Sequence, residues 1–177
     1  MHVAVTEESI HKANALFWEQ MLAMRLEPVN QAHRNPTPDE PHTRCIGADH
    51  VVGSCDLSGA WSGRIEIRLS RGLVLEATSA MLMQPAESVK PNDMLDAARE
   101  IANMIAGTIK SALPRPCIMT VPSSEVEPGN FCISRRTLDS VSAFFHHTSG
   151  ELMIRVWEKT SKSAAELKST TSVPSKI

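Results

Sequence analysis

Residues 93–113 read Asp93-Met94-Leu95-Asp96-Ala97-Ala98-Arg99-Glu100-Ile101-Ala102-Asn103-Met104-Ile105-Ala106-Gly107-Thr108-Ile109-Lys110-Ser111-Ala112-Leu113. An α-helix turns by about 100° per residue. On that wheel Leu95, Ala98, Ile101, Ala102, Ile105, Ile109, Ala112 and Leu113 fall on one broad apolar face. Asp96, Arg99, Glu100, Asn103, Gly107 and Lys110 gather opposite, with Asp93. This is an amphipathic helix with one face in a core. Glu100 and Asn103 are three residues apart and therefore neighbours on its surface. Gly107 follows one turn beyond Asn103, although a mid-helix glycine costs about 1 kcal/mol relative to alanine. Either the helix ends or packs closely there, or bare backbone leaves room for another molecule.

Around this helix the chain separates into helices and strands. Residues 7–26 have apolar side chains at helical spacing, Ile10, Ala13, Phe17, Met21, Leu22 and Met24 with Asn14, and Pro28 as the stop. Thr6 and Ser9 are cap candidates in an incomplete capping box. Residues 28–44 carry four prolines and read as a stiffened loop. A hairpin follows. Val51 to Leu57 leads through Ser58-Gly59-Ala60-Trp61-Ser62-Gly63 into Arg64-Ile65-Glu66-Ile67-Arg68-Leu69, a strict alternation that predicts one buried and one wet face. The two glycines are expected to supply positive φ angles. Residues 72–84 read as a shorter helix ended by Pro85. Strands are predicted at 117–121, 131–135, 141–146 and 152–157, with a polar loop at 123–129. From Thr160 the chain has almost nothing to bury and reads as a flexible polar tail, 160–177, after a domain at 1–159. Antiparallel strands segregated from helices define an α+β layer fold: a mainly antiparallel sheet with two long helices and one shorter helix packed on it.

Composition narrows the function. With 18 Lys+Arg against 20 Asp+Glu, the 177-residue chain has a net charge of −2, which argues against a nucleic-acid partner. The seven aromatics include no tyrosine, so stacking platforms for single strands are scarce as well. No apolar run reaches the roughly 18 residues of a membrane span. Met1 to Glu8 lacks the basic-then-apolar pattern of a secretory signal. A cytoplasmic setting is expected, with Cys45, Cys55, Cys117 and Cys132 as free thiols, mostly small core residues. Cys45, His42 and His50 have poor spacing for zinc. His146 and His147 are strand neighbours whose side chains point to opposite faces and cannot chelate one ion.

The stretch Asp96-x-x-x-Glu100-x-x-Asn103, continuing Met-Ile-Ala-Gly and then Lys110, resembles the signature of the CheX/CheC/FliY phosphatases of bacterial chemotaxis. The part from Glu100 to Gly107 looks like CheX in particular, Pro122 after an apolar strand is similar to the family's downstream proline, and the Leu57–Gly63 turn before an alternating strand resembles CheX-like domains. CheC-type members carry the Glu–Asn pair on two helices. Here the first helix offers Asn14 but His11 where a glutamate would stand, a single-site arrangement like that of CheX. The resemblance implies a CheX-like/CheC-like fold over residues 5–158 and dephosphorylation of the aspartyl phosphate of a CheY-like receiver. An acyl phosphate is already activated, and the receiver would supply its own Mg2+, so the partner brings no cofactor and only positions an attacking water. The implied catalytic pair is Glu100, held against the receiver's active-site lysine, and Asn103, whose amide can donate to and accept from that water. Asp96, Arg99, Gly107 and Lys110 would contact the partner, with Ala106 and Gly107 keeping the approach clear. Homodimerisation by sheet pairing is a further implication. The alternative is a non-catalytic CheX-like module that binds a receiver or serves as an adaptor.

Overall fold

In the computed structural model, which describes residues 5–29, 43–46, 49–129, 131–134 and 140–159, the amphipathic helix runs Pro91–Ser111 as α3. Its start is fixed by the Asp93 carboxylate, which accepts the Lys90 backbone N–H at 2.8 Å. Its buried face comprises Met94, Ala97, Ala98, Ile101, Ala102, Ile105, Ala106 and Ile109. The apolar stripe is therefore rotated slightly from the predicted one. Leu95 is half-buried, Ala112 is exposed, and Ala106 lies inside the core rather than beside an approaching partner.

The helix rests on the second-to-outer strand of a seven-stranded antiparallel sheet. In chain order the elements are α1 (Glu7–Met21), β1 (Glu27–Pro28), β2 (Thr43–Ile46), β3 (His50–Gly59), β4 (Gly63–Ser70), α2 (Arg71–Leu82) and α3. There follow β5 (Cys117–Met119), β6 (Ser123–Glu127), β7 (Phe131–Ser134), β8 (Ser140–His147) and β9 (Gly150–Glu158). The sheet order is β1-β8-β9-β4-β3, with β5 and β6 both paired to the outer side of β3. β2 and β7 form a separate two-stranded ribbon. The helices α1 and α2 flank α3, and α3 packs on β3. Trp18, Ile67, Ile101, Ile105 and Leu152 are fully buried between the layers. No described helix is long and apolar enough to cross a membrane.

Several local readings change. The first helix ends at Met21, because Ala23 takes a left-handed conformation (φ 52°) and the Met24 N–H closes onto the Trp18 carbonyl at 2.9 Å. Met21 is consequently 60% exposed, and Trp18 takes a place in the core. The capping box is complete, because the Ser9 hydroxyl substitutes for the usual glutamate and accepts the Thr6 N–H at 3.1 Å. In the hairpin only Gly59 has a positive φ, at 128°. Gly63 is needed for space, since a side chain there would run into the Trp61 ring. Residues 123–127, expected as loop, form β6. β5 and β6 are one edge strand interrupted at Thr120–Pro122, where three residues oppose only Cys55 and Asp56 of β3. The tail 160–177 and most of the loop 28–44 lie outside the described residues.

The polar face of β4 is not wet. Arg68 is 6% exposed and His50 2%, and both lie on the sheet face away from α3. The Arg68 guanidinium donates to the Glu66 carboxylate at 2.7 Å and to both carboxylate oxygens of Glu127 on β6, and it meets the His50 ring at 2.8 Å. Hydrogen bonds from Arg68 hold the Glu127 carboxyl below its ordinary pKa of 4.5, against the opposing effect of burial. A depressed folded pKa adds stability that is complete above the unfolded value and lost as pH falls through the folded one. Thermal melts from about pH 5 to pH 3 are therefore expected to fall less steeply for Glu127→Gln than for the natural chain. Parallel slopes would show that this pairing contributes nothing to acid sensitivity.

Candidate functional site

Glu100 and Asn103 project from the middle of α3, on the arc opposite its buried stripe. Glu100 is exposed and Asn103 partly exposed. Their Cβ atoms are separated by roughly the 5–6 Å of any i, i+3 pair. Neither side chain has a hydrogen-bond or ion-pair partner among the described residues. One turn earlier Asp96 and Arg99, both exposed, form an ion pair at 2.9 Å. An exposed i, i+3 pair contributes only a few tenths of a kcal/mol, so both charges remain available to a partner.

Gly107 is the informative neighbour. The helix continues past it to Ser111, so it is not a terminator. A Cβ built on it would meet no atom within 4 Å, so close packing does not explain it either. The bare backbone faces open space on the same arc as Asn103. Gly107→Ala is expected to stabilise the fold by about 1 kcal/mol through helix propensity alone. The same change narrows the approach to Asn103. A raised Tm together with weaker action on a partner would mark Gly107 as a clearance position.

Beyond Gly107 the arc opens into a shallow groove of about 730 Å³, lined by Lys110, Ser111, Arg115, Cys117 and Met119 among others. Two cations line it, Arg115 and, near the C-terminal end of α3, Lys110. Arg115 stands between Pro114 and Pro116, just past the end of α3. The signal for Arg115 is its position, directly between a helix end and the edge strand. The outer edge of the sheet runs alongside, with Ile118, Val121 and Val126 exposed by 67%, 88% and 53%. The last strand, β9, is interior, between β8 and β4.

The other sequence candidates are placed elsewhere. Asn14 of α1 is 2% exposed, and its Oδ1 has no hydrogen-bond partner among the described residues. Buried on α1, it offers no second surface pair. His50 is committed to Arg68 and Glu127 rather than to a metal. Among the described residues no group of three or more His, Cys, Asp or Glu side chains is gathered to hold an ion. Cys55 is 3% exposed, and burial pushes its thiol up to about 11, so it stays protonated at neutral pH.

The architecture matches solved structures of one fold. A CheX chemotaxis protein from Vibrio vulnificus superposes with a TM-score of 0.63 at 19% identity, covering 86% of this chain and 95% of that one. A CheX from Desulfovibrio desulfuricans gives 0.64 at 18% identity, covering 86% and 97%. The CheX of Borrelia burgdorferi, solved as a CheX-CheY-BeF3-Mg complex, gives 0.55 at 14% identity over 86% and 97%. These matches define the fold as CheX/CheC-like. No curated protein matches the chain in sequence. Residues 51–137 match the family model described as chemotaxis phosphatase CheX, and this chain carries a CheX-like domain. The matched segment contains β3, β4, α2, α3 and the edge strands, and with them the Glu100–Asn103 pair.

Proposed function

We propose that the chain hydrolyses the aspartyl phosphate of a CheY-like receiver domain, with the polar arc of α3 as the working face. The observation that carries this reading is the pairing of Glu100 with Asn103, accessible, without partners among the described residues, beside the open backbone at Gly107. A complex of CheX with CheY is known for the Borrelia protein, which supports a receiver as the partner.

An aspartyl phosphate is an acyl phosphate, and its hydrolysis needs a water aligned behind the phosphorus more than it needs a new nucleophile. The Asn103 amide accepts a hydrogen bond from that water and donates another to the phosphoryl oxygens, with no change of protonation. Glu100 pairs with a receiver lysine and fixes the depth at which the helix enters. Asp96, Arg99, Lys110 and Gly107 form the rim of the contact. The receiver brings the Mg2+ that neutralises the developing charge, and this chain contributes no metal ligand. A cytoplasmic setting belongs to the same proposal, as does a homodimer paired through a sheet edge. The β5–β6 edge, with its exposed Ile118, Val121 and Val126, is the candidate for that pairing.

The test is phosphate release from a panel of phosphorylated receivers with Mg2+, with and without the full chain. Faster release from at least one receiver is expected. Decay at the receiver's own rate throughout the panel would leave a binding module or adaptor as the reading.

A further inference from the structure

The β2–β7 ribbon sets two cysteines directly opposite each other. Cys45 on β2 is the register partner of Cys132 on β7. That register does not stand alone. From the His50–Glu127 pair of β3 and β6, four residues back along one strand and four forward along the other reach Ile46 and Phe131, which are partners in the ribbon. Both ladders keep one register, and the two chains pass the same number of residues between them. A slip of one residue would move the cysteines out of opposition, and the shared register argues against a slip. Directly opposed residues of an antiparallel ladder hold their Cα atoms about 4.5 or about 5.5 Å apart. Both separations lie within the roughly 4.4–6.8 Å that a disulfide spans. The remaining cysteines have no such opposition. Cys55 is opposite Ile65, and Cys117 is opposite Gly59.

We propose that Cys45 and Cys132 are a redox-responsive dithiol that closes to an intramolecular disulfide across the ribbon when a small-molecule disulfide such as oxidised glutathione is present. One protein thiolate attacks a sulfur of oxidised glutathione. That S–S bond breaks, a glutathione thiolate leaves, and a mixed disulfide forms. The second protein thiolate then attacks the protein sulfur of the mixed disulfide and releases the second glutathione. The two protein thiols give up two electrons and two protons, and one oxidised glutathione becomes two reduced ones. Excess reduced glutathione reverses both steps, so a reducing compartment keeps the pair open. Closure ties the start of the chain segment carrying β3 to β6, α2 and α3 to its end. It restricts the unfolded chain and should raise Tm.

The experiment incubates the full chain with oxidised glutathione, blocks residual thiols with N-ethylmaleimide and maps unreduced peptides by mass spectrometry. The four thiols are expected to fall to two, with a single linked peptide pair joining Cys45 to Cys132. Tm should rise by roughly 10 °C and return on adding reduced glutathione. Cys45→Ser and Cys132→Ser should each lose the link, whereas Cys55→Ser and Cys117→Ser should keep it. The proposal is overturned by retention of all four thiols, by stable glutathione adducts on Cys45 or Cys132, or by links that join separate chains. It is equally overturned if the same pair forms with the same preference in guanidinium chloride, since the ribbon would then not be what selects it.

Discussion

Asn103→Ala is expected to lower the acceleration of receiver dephosphorylation by about 100-fold while leaving capture of the receiver nearly intact. The magnitude is that of deleting one positioned hydrogen-bonding group from a preorganised site. The fold should not suffer. Asn103 is partly exposed, makes no internal hydrogen bond among the described residues, and lies in a helix where alanine is the better helix former. The loss therefore belongs to the chemical step and appears in kcat rather than KM. Glu100→Ala should behave differently. Removing the charge that sets the register weakens capture as well as rate, so KM rises and kcat falls together. Stopped-flow decay of the phosphorylated receiver over a range of chain concentrations separates the two patterns. Equal losses of capture in both variants would show that Asn103 is only part of a binding surface.

Gly53→Ala is expected to destabilise the fold by about 2–3 kcal/mol, a Tm drop of roughly 5–10 °C. Gly53 lies in the middle of β3, under α3. A Cβ there would stand 2.5 Å from the Ala98 carbonyl oxygen and 3.0 Å from the Ala102 Cβ. The first of these atoms is helix backbone, which cannot rotate away as a side chain could. The helix must lift from the sheet, which opens gaps around Ile101 and Ile105, both fully buried now. The reduced flexibility of the unfolded chain returns less than 1 kcal/mol. Gly53 and Gly107 thus predict opposite outcomes for the same substitution on opposite sides of α3. An unchanged melting curve for Gly53→Ala would contradict the close helix–sheet contact that sets the height of the Glu100–Asn103 pair.

The parts of the fold legible in the sequence were those written in side-chain periodicity. The α3 stripe and the alternation at Arg64–Leu69 each identify their element, because burial selects apolar side chains at the period of the backbone. β6 carried no such signal. Ser123, Ser124 and Glu125 are polar, and the strand exists because its backbone pairs with the edge of β3, an interaction independent of side-chain hydropathy. The same strand explains why Arg68 is buried where alternation predicted water: Glu127 comes from β6 to meet it. The helix end at Met21 was obscured because Ala23, not glycine or asparagine, takes the left-handed turn. At the site, the adjacency of Glu100 and Asn103 followed from helical spacing alone. The opposition of Cys45 and Cys132 did not, since it depends on how distant segments pair.

The side-chain amide of Asn103 gives the most direct test of the working face. In a 15N spectrum of the full chain its NH2 pair is the one missing from the Asn103→Ala spectrum. A receiver held active with beryllium fluoride and Mg2+ is predicted to shift or broaden that pair. The amide of Asn14, 2% exposed, should stay where it is. A receiver that binds while the Asn103 amide remains unmoved would place the contact elsewhere and contradict the account.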